Sequence, residues 1–291
     1  MTLEQLRIFV AVAERQHVTR AARALNLTQS AVSSAVTALE TRHGIALFDR
    51  VGRGVVLNAG GQVFLEEARA VLARAAAAET ALADLSGLTR GRLSIHASQT
   101  IASYWLPPRL AAFHGDHPGI DLDIAIGNTA QVARAVIEGA AELGLVEGEI
   151  GDPVLERSLL DHDDLALIVS PGHPWAGLTS EPEDLAASAW VMREPGSGTR
   201  AALEAALASR GRRMGDLTVA MTLPANEAVR SAVRAGAGAA LLSRSVAVPG
   251  LAARLLVEVP FAVAPRAFHR LRHRERRLSL AARAFLGLSA G

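Results

Sequence analysis

HVTRAARALNLTQSAVSSAVTALETR, residues His17 to Arg42, reads as two helices joined by a tight turn. Ala21, Ala22 and Leu25 fall on one face of the first helix, and Val32, Ala35, Val36 and Leu39 repeat at the helical period in the second. Between them lies Asn26-Leu27-Thr28, where the Thr28 hydroxyl is placed to accept an orphan backbone N–H of the second helix. The other face of that helix carries Gln29, Ser30, Ser33, Ser34 and Thr37, short hydrogen-bonding side chains with no carboxylate among them. A helix serving only solubility would carry Glu with Lys or Arg there. Small neutral polar groups let a helix approach a groove closely and meet base edges and phosphates. Thr28, Gln29, Ser30, Ser33, Ser34 and Thr37 are therefore the expected DNA contacts of a helix-turn-helix. The plainer alternative is an ordinary solvated helix pair.

The flanks extend this reading. Over residues 2–14, Leu3, Leu6, Phe9, Val10 and Ala13 share one face of a helix that opens at an N-cap, Thr2. Downstream, Ile45-Ala46-Leu47-Phe48, a turn at Gly52-Arg53-Gly54 and the strand-like Val55-Val56-Leu57 describe a β-hairpin wing. Arg50 and Arg53 sit at its tip, where they would reach flanking phosphates or the minor groove. From Ala59 to Leu88 there is no Pro, and Phe64, Ala68, Val71, Ala75, Ala78, Leu82 and Leu85 alternate in steps of four and three. That is a heptad seam, the pattern of helix pairing, and a dimer built on it would present two reading helices to a two-fold symmetric DNA site.

Composition bounds the rest. The chain has 291 residues, half of them hydrophobic and 20% charged, which suits two or three core-forming domains. Net charge is +1, so nucleic-acid contact must come from local patches. All thirty basic residues are Arg, a bias that goes with the abundance of Ala and is not evidence of phosphate binding. The absence of Cys removes disulfides, thiolate catalysis and Cys-based metal sites. No 18-residue apolar run and no leader pattern occur, so a soluble, cytoplasmic protein without membrane partners is expected.

After a hinge at Gly87 to Gly91, strands and helices alternate. Strands are expected at Leu93–His96, Ile120–Ile126, Ala141–Val146, Leu165–Val169, Ala189–Met192, Leu217–Met221, Ala239–Leu242 and Ala267–Arg272. Helices are expected at Ile101–His114, Gln131–Glu138, Gly198–Ser209, Asn226–Ala235 and Arg276–Leu286. Such alternation means βαβ units and parallel sheets, here in two lobes with a ligand cleft between them. The expected fold class is α/β: a winged helix-turn-helix over 1–58, a dimerisation linker helix over 59–88 and a two-lobed, periplasmic-binding-protein-like effector domain over 89–291. Lobe I takes about 91–161 and 265–291, and lobe II about 162–264.

This order of parts resembles the LysR-type transcriptional regulators of bacteria. The resemblance covers the whole chain and is most specific from Phe9 to Gly60, with Asn58-Ala59-Gly60 standing where the family usually shows Thr-Pro-Ala-Gly. Arg193-Glu-Pro-Gly-Ser-Gly-Thr-Arg200 and Arg272-His-Arg-Glu-Arg-Arg277 are also similar in type. It implies sequence-specific transcription regulation from a palindromic promoter site with a T-N11-A-like core. It further implies a homotetramer assembled as a dimer of dimers, RNA polymerase as a further partner, and a small effector between the lobes. The Glu-Pro-Gly-Ser-Gly-Thr loop resembles the branch tied to sulfur and carbon-fixation metabolism.

The residues lining the cleft follow from chemistry. Ser98-Gln99-Thr100, Gly127-Asn128-Thr129 and Gly196-Ser197-Gly198-Thr199 each follow a strand and run into a helix start. Helix N-termini suit an anion, hydroxyls add donors, and Gly admits a ligand to the backbone. Ser98, Gln99, Thr100, Asn128, Thr129, Ser197, Gly198 and Thr199 are thus candidate effector contacts, with Asn226 and Glu147 as further ones. A small oxyanion or carboxylate effector is expected, and no cofactor; Glu147 argues against a highly charged ligand. The arginines from Arg270 to Arg277 are expected to be a solvated face or inter-subunit ion pairs. The nine His show no ligand spacing, so no metal is expected. Gly-x-Ser-x-Gly, Walker and paired-His motifs are absent, which argues against an enzyme. The alternative function is a cytoplasmic small-molecule-binding protein of the solute-binding type with no gene-regulatory output.

Overall fold

The computed structural model describes residues 1–52, 54–85, 90–148 and 150–288. The chain divides into two compact units, Met1–Leu85 with Glu138–Ala140, and the remainder. Arg53 and most of the expected hinge, residues 86–89, lie outside the described residues.

In the first unit, helix α1 (Leu3–Arg15) opens with a capping box: Gln5 N donates to Thr2 Oγ1 at 3.2 Å and Thr2 N to Gln5 Oε1 at 3.0 Å. Helix α2 (Val18–Ala24) leads through the turn to α3 (Gln29–His43), whose N-cap is Thr28, accepting from Ala31 N at 3.2 Å. Gly44, at φ +66°, ends α3 in the left-handed conformation that glycine adopts without penalty. The wing is a hairpin of β1 (Phe48–Val51) and β2 (Gly54–Leu57), pinned to α3 because Glu40 Oε1 accepts from Leu47 N at 2.7 Å. Burial on α1 is wider than expected: Ile8, Ala11 and Val12 are buried with Ala21, Ala22 and Val32, whereas Leu3 is exposed.

Helix α4 (Ala59–Leu85) starts from Asn58, whose Oδ1 accepts from Gly61 N at 2.8 Å and whose amide donates to Ala46 O at 2.9 Å. The departure at Asn58 therefore supplies the helix with its own cap. The heptad seam divides in two. Phe64 and Ala68 pack inward with Leu6, Phe9 and Leu39, whereas Val71 is exposed, as are Leu82 at 70% and Leu85 at 85%.

The second unit holds two sheets. The first has the order β4-β3-β5-β12-β6, from β3 (Gly91–Ser98), β4 (Ile120–Gly127), β5 (Leu143–Glu147), β6 (Leu155–Asp163) and β12 (Arg266–His273). Here β3 runs parallel to β4 and β5, but β12 is antiparallel to β5 and β6. The second lobe pairs β7 (Leu165–Val169) antiparallel with β10 (Ala240–Ser243) and β11 (Val257–Val259). It pairs β8 (Ala189–Arg193) parallel with β9 (Thr218–Leu223), and a Trp190–Ala239 bridge links the two sets. The all-parallel expectation thus fails where the chain returns between lobes without a crossover helix.

Helices α5 (Leu106–Asp116), α6 (Thr129–Glu138), α7 (Gly198–Ala208), α8 (Asn226–Arg234), α9 (Arg244–Ala252) and α10 (Leu280–Leu288) cover the sheets. The expected Ile101–His114 helix is a π-helical turn, Ile101–Trp105, followed by α5, with the two prolines in the first turn of α5, where no N–H is needed. β6, α9 and β11 carry no clean periodicity and were not legible in the sequence; β6 alternates half-buried with exposed charged positions.

The last helix starts four residues later than expected. Ser279 caps it, accepting from Ala282 N at 2.9 Å, and Arg276 is drawn off to the carbonyls of Val136 and Ile137 at the end of α6. With Arg272 paired to Glu156, two arginines of the Arg270–Arg277 run act within the unit, not as a solvated or inter-subunit face.

Candidate DNA interface and interlobe groove

All six expected reading residues, Thr28, Gln29, Ser30, Ser33, Ser34 and Thr37, are exposed on α3, while Val32 and Leu39 on its opposite side are buried. Two of them also serve the local structure. Thr28 is the cap and lies 3.0 Å from Ser30 Oγ, and Gln29 Oε1 accepts from Thr19 Oγ1 at 3.1 Å, which leaves its amide N–H groups to project outward. Arg50 is exposed on β1. A neutral donor–acceptor strip on a well-anchored helix, with a cation on the adjacent wing, can read base edges and hold phosphate.

In the second unit, the expected loops meet across the lobes. Gln99 Nε2 donates to Pro224 O at 2.9 Å, and Gln99 Oε1 accepts from Asn226 N at 2.9 Å. Asn226 Nδ2 donates to Thr100 Oγ1 at 3.1 Å. On the other side, Asn128 Nδ2 donates to Glu194 Oε1 at 3.2 Å and Ala130 N to Gly196 O at 3.2 Å. The starts of α6 and α8 therefore spend N–H groups on partners from the opposite lobe, so the expected set of three helix N-termini open to an anion is not what the structure presents.

A buried arginine organises this junction. Arg266, 7% exposed at the first position of β12, directs Nε and Nη2 at Asp163 Oδ2, at 2.7 and 2.6 Å. Nη1 reaches Glu147 Oε2 at 3.1 Å and Thr199 Oγ1 at 2.9 Å, and Nη2 also reaches Thr100 Oγ1 at 3.1 Å. Each of the five guanidinium N–H groups thereby has an acceptor. Burial pushes the Asp163 carboxyl up from its ordinary value, against the pull of Arg266 and of Ser243 Oγ at 2.7 Å. A second buried arginine, Arg193, grips Glu194 with two bonds at 2.7 and 2.8 Å and also holds Asn226 Oδ1. For Glu194, burial works upward, but the bonds from Arg193, its own backbone and Asn128 hold its pKa below the usual range.

Sequence reading missed Arg193, Arg266 and Asp163. Their one signal is position: Arg193 ends the strand before the Gly-Ser-Gly loop, and Asp163 and Arg266 stand where the chain passes between the lobes.

Beside this junction an open groove of about 720 Å³ runs between α6 and α7, a size suited to a small ligand. It is lined by Thr129, Glu147, Ser197 and Gly198 from the expected set, and also by Arg134 and Arg200. Ser98, Gln99, Thr100, Asn128, Thr199 and Asn226 do not line it; they belong to the hydrogen-bonded junction. Gly198 is obligatory, because a Cβ there would stand 2.7 Å from Glu147 O. Ser197 caps α7, accepting from Thr199 N at 3.2 Å, and Thr129 Oγ1 donates to Glu147 O at 3.1 Å. Two buried polar atoms in this region have no hydrogen-bond partner among the described residues, Ser98 Oγ and Glu147 Oε1.

Comparison with known proteins gives the same two-part division. A family model described as "Bacterial regulatory helix-turn-helix protein, lysR family" matches residues 3–62, and one described as "LysR substrate binding domain" matches residues 86–290. The chain is 37% identical over 294 residues to the HTH-type transcriptional regulator YeiE of Escherichia coli (strain K12), covering 98% of this chain and 96% of that one. It is 35% identical over 288 residues to the RuBisCO operon transcriptional regulator of Allochromatium vinosum, covering 98% and 94%. Full-length CbnR, solved in complex with its target DNA, shares the fold with a TM-score of 0.69 at 22% identity, covering 100% of this chain and 99% of that one.

Proposed function

The chain belongs to the LysR family of bacterial transcriptional regulators, and we propose that a small anionic effector, an oxyanion or a carboxylate, acts on it from the groove between α6 and α7. It is a DNA-binding regulator and not an enzyme: α3 binds duplex promoter DNA, and the chain oligomerises. The observation that carries the effector reading is the groove itself, whose two walls come from different lobes, with Thr129 and Glu147 on one side and Ser197 and Gly198 on the other. A ligand touching both walls favours one lobe arrangement over another by its difference in affinity for the two.

The finer features of this reading are a palindromic operator, a dimer of dimers joined in part through the exposed Val71, Leu82 and Leu85 of α4, contact with RNA polymerase, and a cytoplasmic location. No cofactor is needed.

Selection of sites from a random duplex pool is expected to return an inverted repeat with a T-N11-A-like core. Ser33→Ala and Gln29→Ala are each expected to weaken the selected site by about tenfold, one bidentate or paired base contact being worth about 1–3 kcal/mol, with the thermal midpoint unchanged. Unaltered affinity in a gel-shift titration at fixed salt would remove those two residues from the interface. For the effector, a melting screen of the full-length protein against small oxyanions and carboxylates is expected to find at least one that raises the midpoint. Ala201→Trp, which fills the groove from an exposed position on α7, is expected to abolish that rise while leaving operator binding intact. Stabilisation that survives Ala201→Trp places the effector elsewhere.

A further inference from the structure

The two carboxylate oxygens of Glu147 stand in different situations. Oε2 takes Arg266 Nη1 at 3.1 Å, whereas Oε1 is buried and without a hydrogen-bond partner among the described residues. The residue is 3% exposed and lines the groove. A buried acceptor in this condition costs about 1–3 kcal/mol, and more when it is charged. Its neighbours are committed elsewhere: the five N–H groups of Arg266 are all engaged, and the Thr129 hydroxyl spends its proton on the backbone carbonyl of Glu147. The missing donor is therefore one that a ligand can bring.

This decides which anions fit. An anion with acceptors alone would set lone pairs and negative charge against Oε1, whereas one that keeps a hydrogen on an oxygen donates to it. The groove lining carries Glu147, Asp152 and Glu204 against Arg134 and Arg200, a balance that favours a singly charged anion over a dianion. We propose that Glu147 makes the groove selective for anions that retain a hydroxyl hydrogen, protonated tetrahedral oxyanions or hydroxy acids, and closes it to sulfate. The proposal rests on the groove being the effector site.

Inorganic phosphate and sulfate share shape and size and differ at neutral pH in that one proton, so they make the test. Calorimetric titration of the full-length protein is expected to show phosphate binding at least about tenfold more tightly than sulfate, the scale on which a built hydrogen-bond site rejects an analogue lacking the hydrogen. Glu147→Gln can turn an amide N–H to the position of Oε1 while its carbonyl still faces Arg266, so this variant is expected to gain sulfate and bring the two anions to within about twofold. Its melting curve and operator affinity without added anion report whether it is folded. Ala201→Trp is expected to lose both anions.

Equal binding of phosphate and sulfate to the wild type, both lost in Ala201→Trp, would overturn the proton requirement and leave the effector groove standing. Binding that persists in Ala201→Trp would overturn the groove reading. No binding of either anion to the wild type, with no gain of sulfate in Glu147→Gln, would overturn the selectivity assigned to Glu147.

Discussion

Arg266→Met is expected to destabilise the effector-binding unit by about 3–5 kcal/mol, the usual consequence of removing one partner from a buried ion pair. The arginine is replaced by a side chain of similar length, so the loss is not one of packing. What remains is Asp163 and Glu147, 5% and 3% exposed, with their cation gone, and with the hydroxyls of Thr100 and Thr199 deprived of a donor. In a unit of this size the change corresponds to a fall in midpoint of roughly 10 °C, read by calorimetry on the full-length protein. The diagnostic variant is Glu147→Gln, Asp163→Asn and Arg266→Met combined. Removing all three charges together takes away the desolvation cost with the attraction, so the triple variant is expected to recover most of what the single one loses. A single variant that melts like the wild type would mean that the junction is not held by these charges.

Gly61→Val is the second large effect, and it falls in the other unit. A Cβ at Gly61 would lie 2.0 Å from Leu47 O and 2.7 Å from a methyl of Leu57, so the first turn of α4 cannot stay against the wing. Overpacking of this kind costs about 1–3 kcal/mol, and the wing and the end of α3 would shift together because Glu40 ties them. Operator affinity is expected to fall with the stability of this unit. Gly60→Ala is the control one residue away: its nearest neighbour would be Asn58 Oδ1 at 3.4 Å, an ordinary distance, and alanine favours the helix by about 0.5–1 kcal/mol. Gly60→Ala should match or exceed the wild type in melting temperature. Equal behaviour of the two variants would show that α4 does not seat against the wing at Gly61.

The DNA-binding half was legible residue by residue because its signals are local. Thr2 and Thr28 announce helix starts, Gly44 a helix end, and the polar strip from Gln29 to Thr37 lies on the face left exposed when Val32 and Leu39 are buried. Periodicity also marked α4, but it could not say that Phe64 and Ala68 belong to the core of this unit while Leu82 and Leu85 stay exposed. A heptad gives the face of a helix and not the identity of what covers it.

For the effector half, the sequence by itself determined that there are two α/β lobes, that three loops rich in Ser, Thr and Gly run into helix starts, and that Glu147 closes a strand. Only the tertiary structure decided what those loops do. Ser98, Thr100, Thr199 and Asn226 carry the residue types of an anion site, yet they meet one another and two buried arginines across the junction. Arg193, Asp163 and Arg266 look like any charged strand ends in the sequence; they become buried because the chain crosses between lobes there, far apart in sequence and together in space. Whether a polar side chain is a ligand contact or a satisfied partner depends on which hydrogen-bond capacity is left over after folding, and that remainder, Oε1 of Glu147 at the groove, exists only once the lobes have come together.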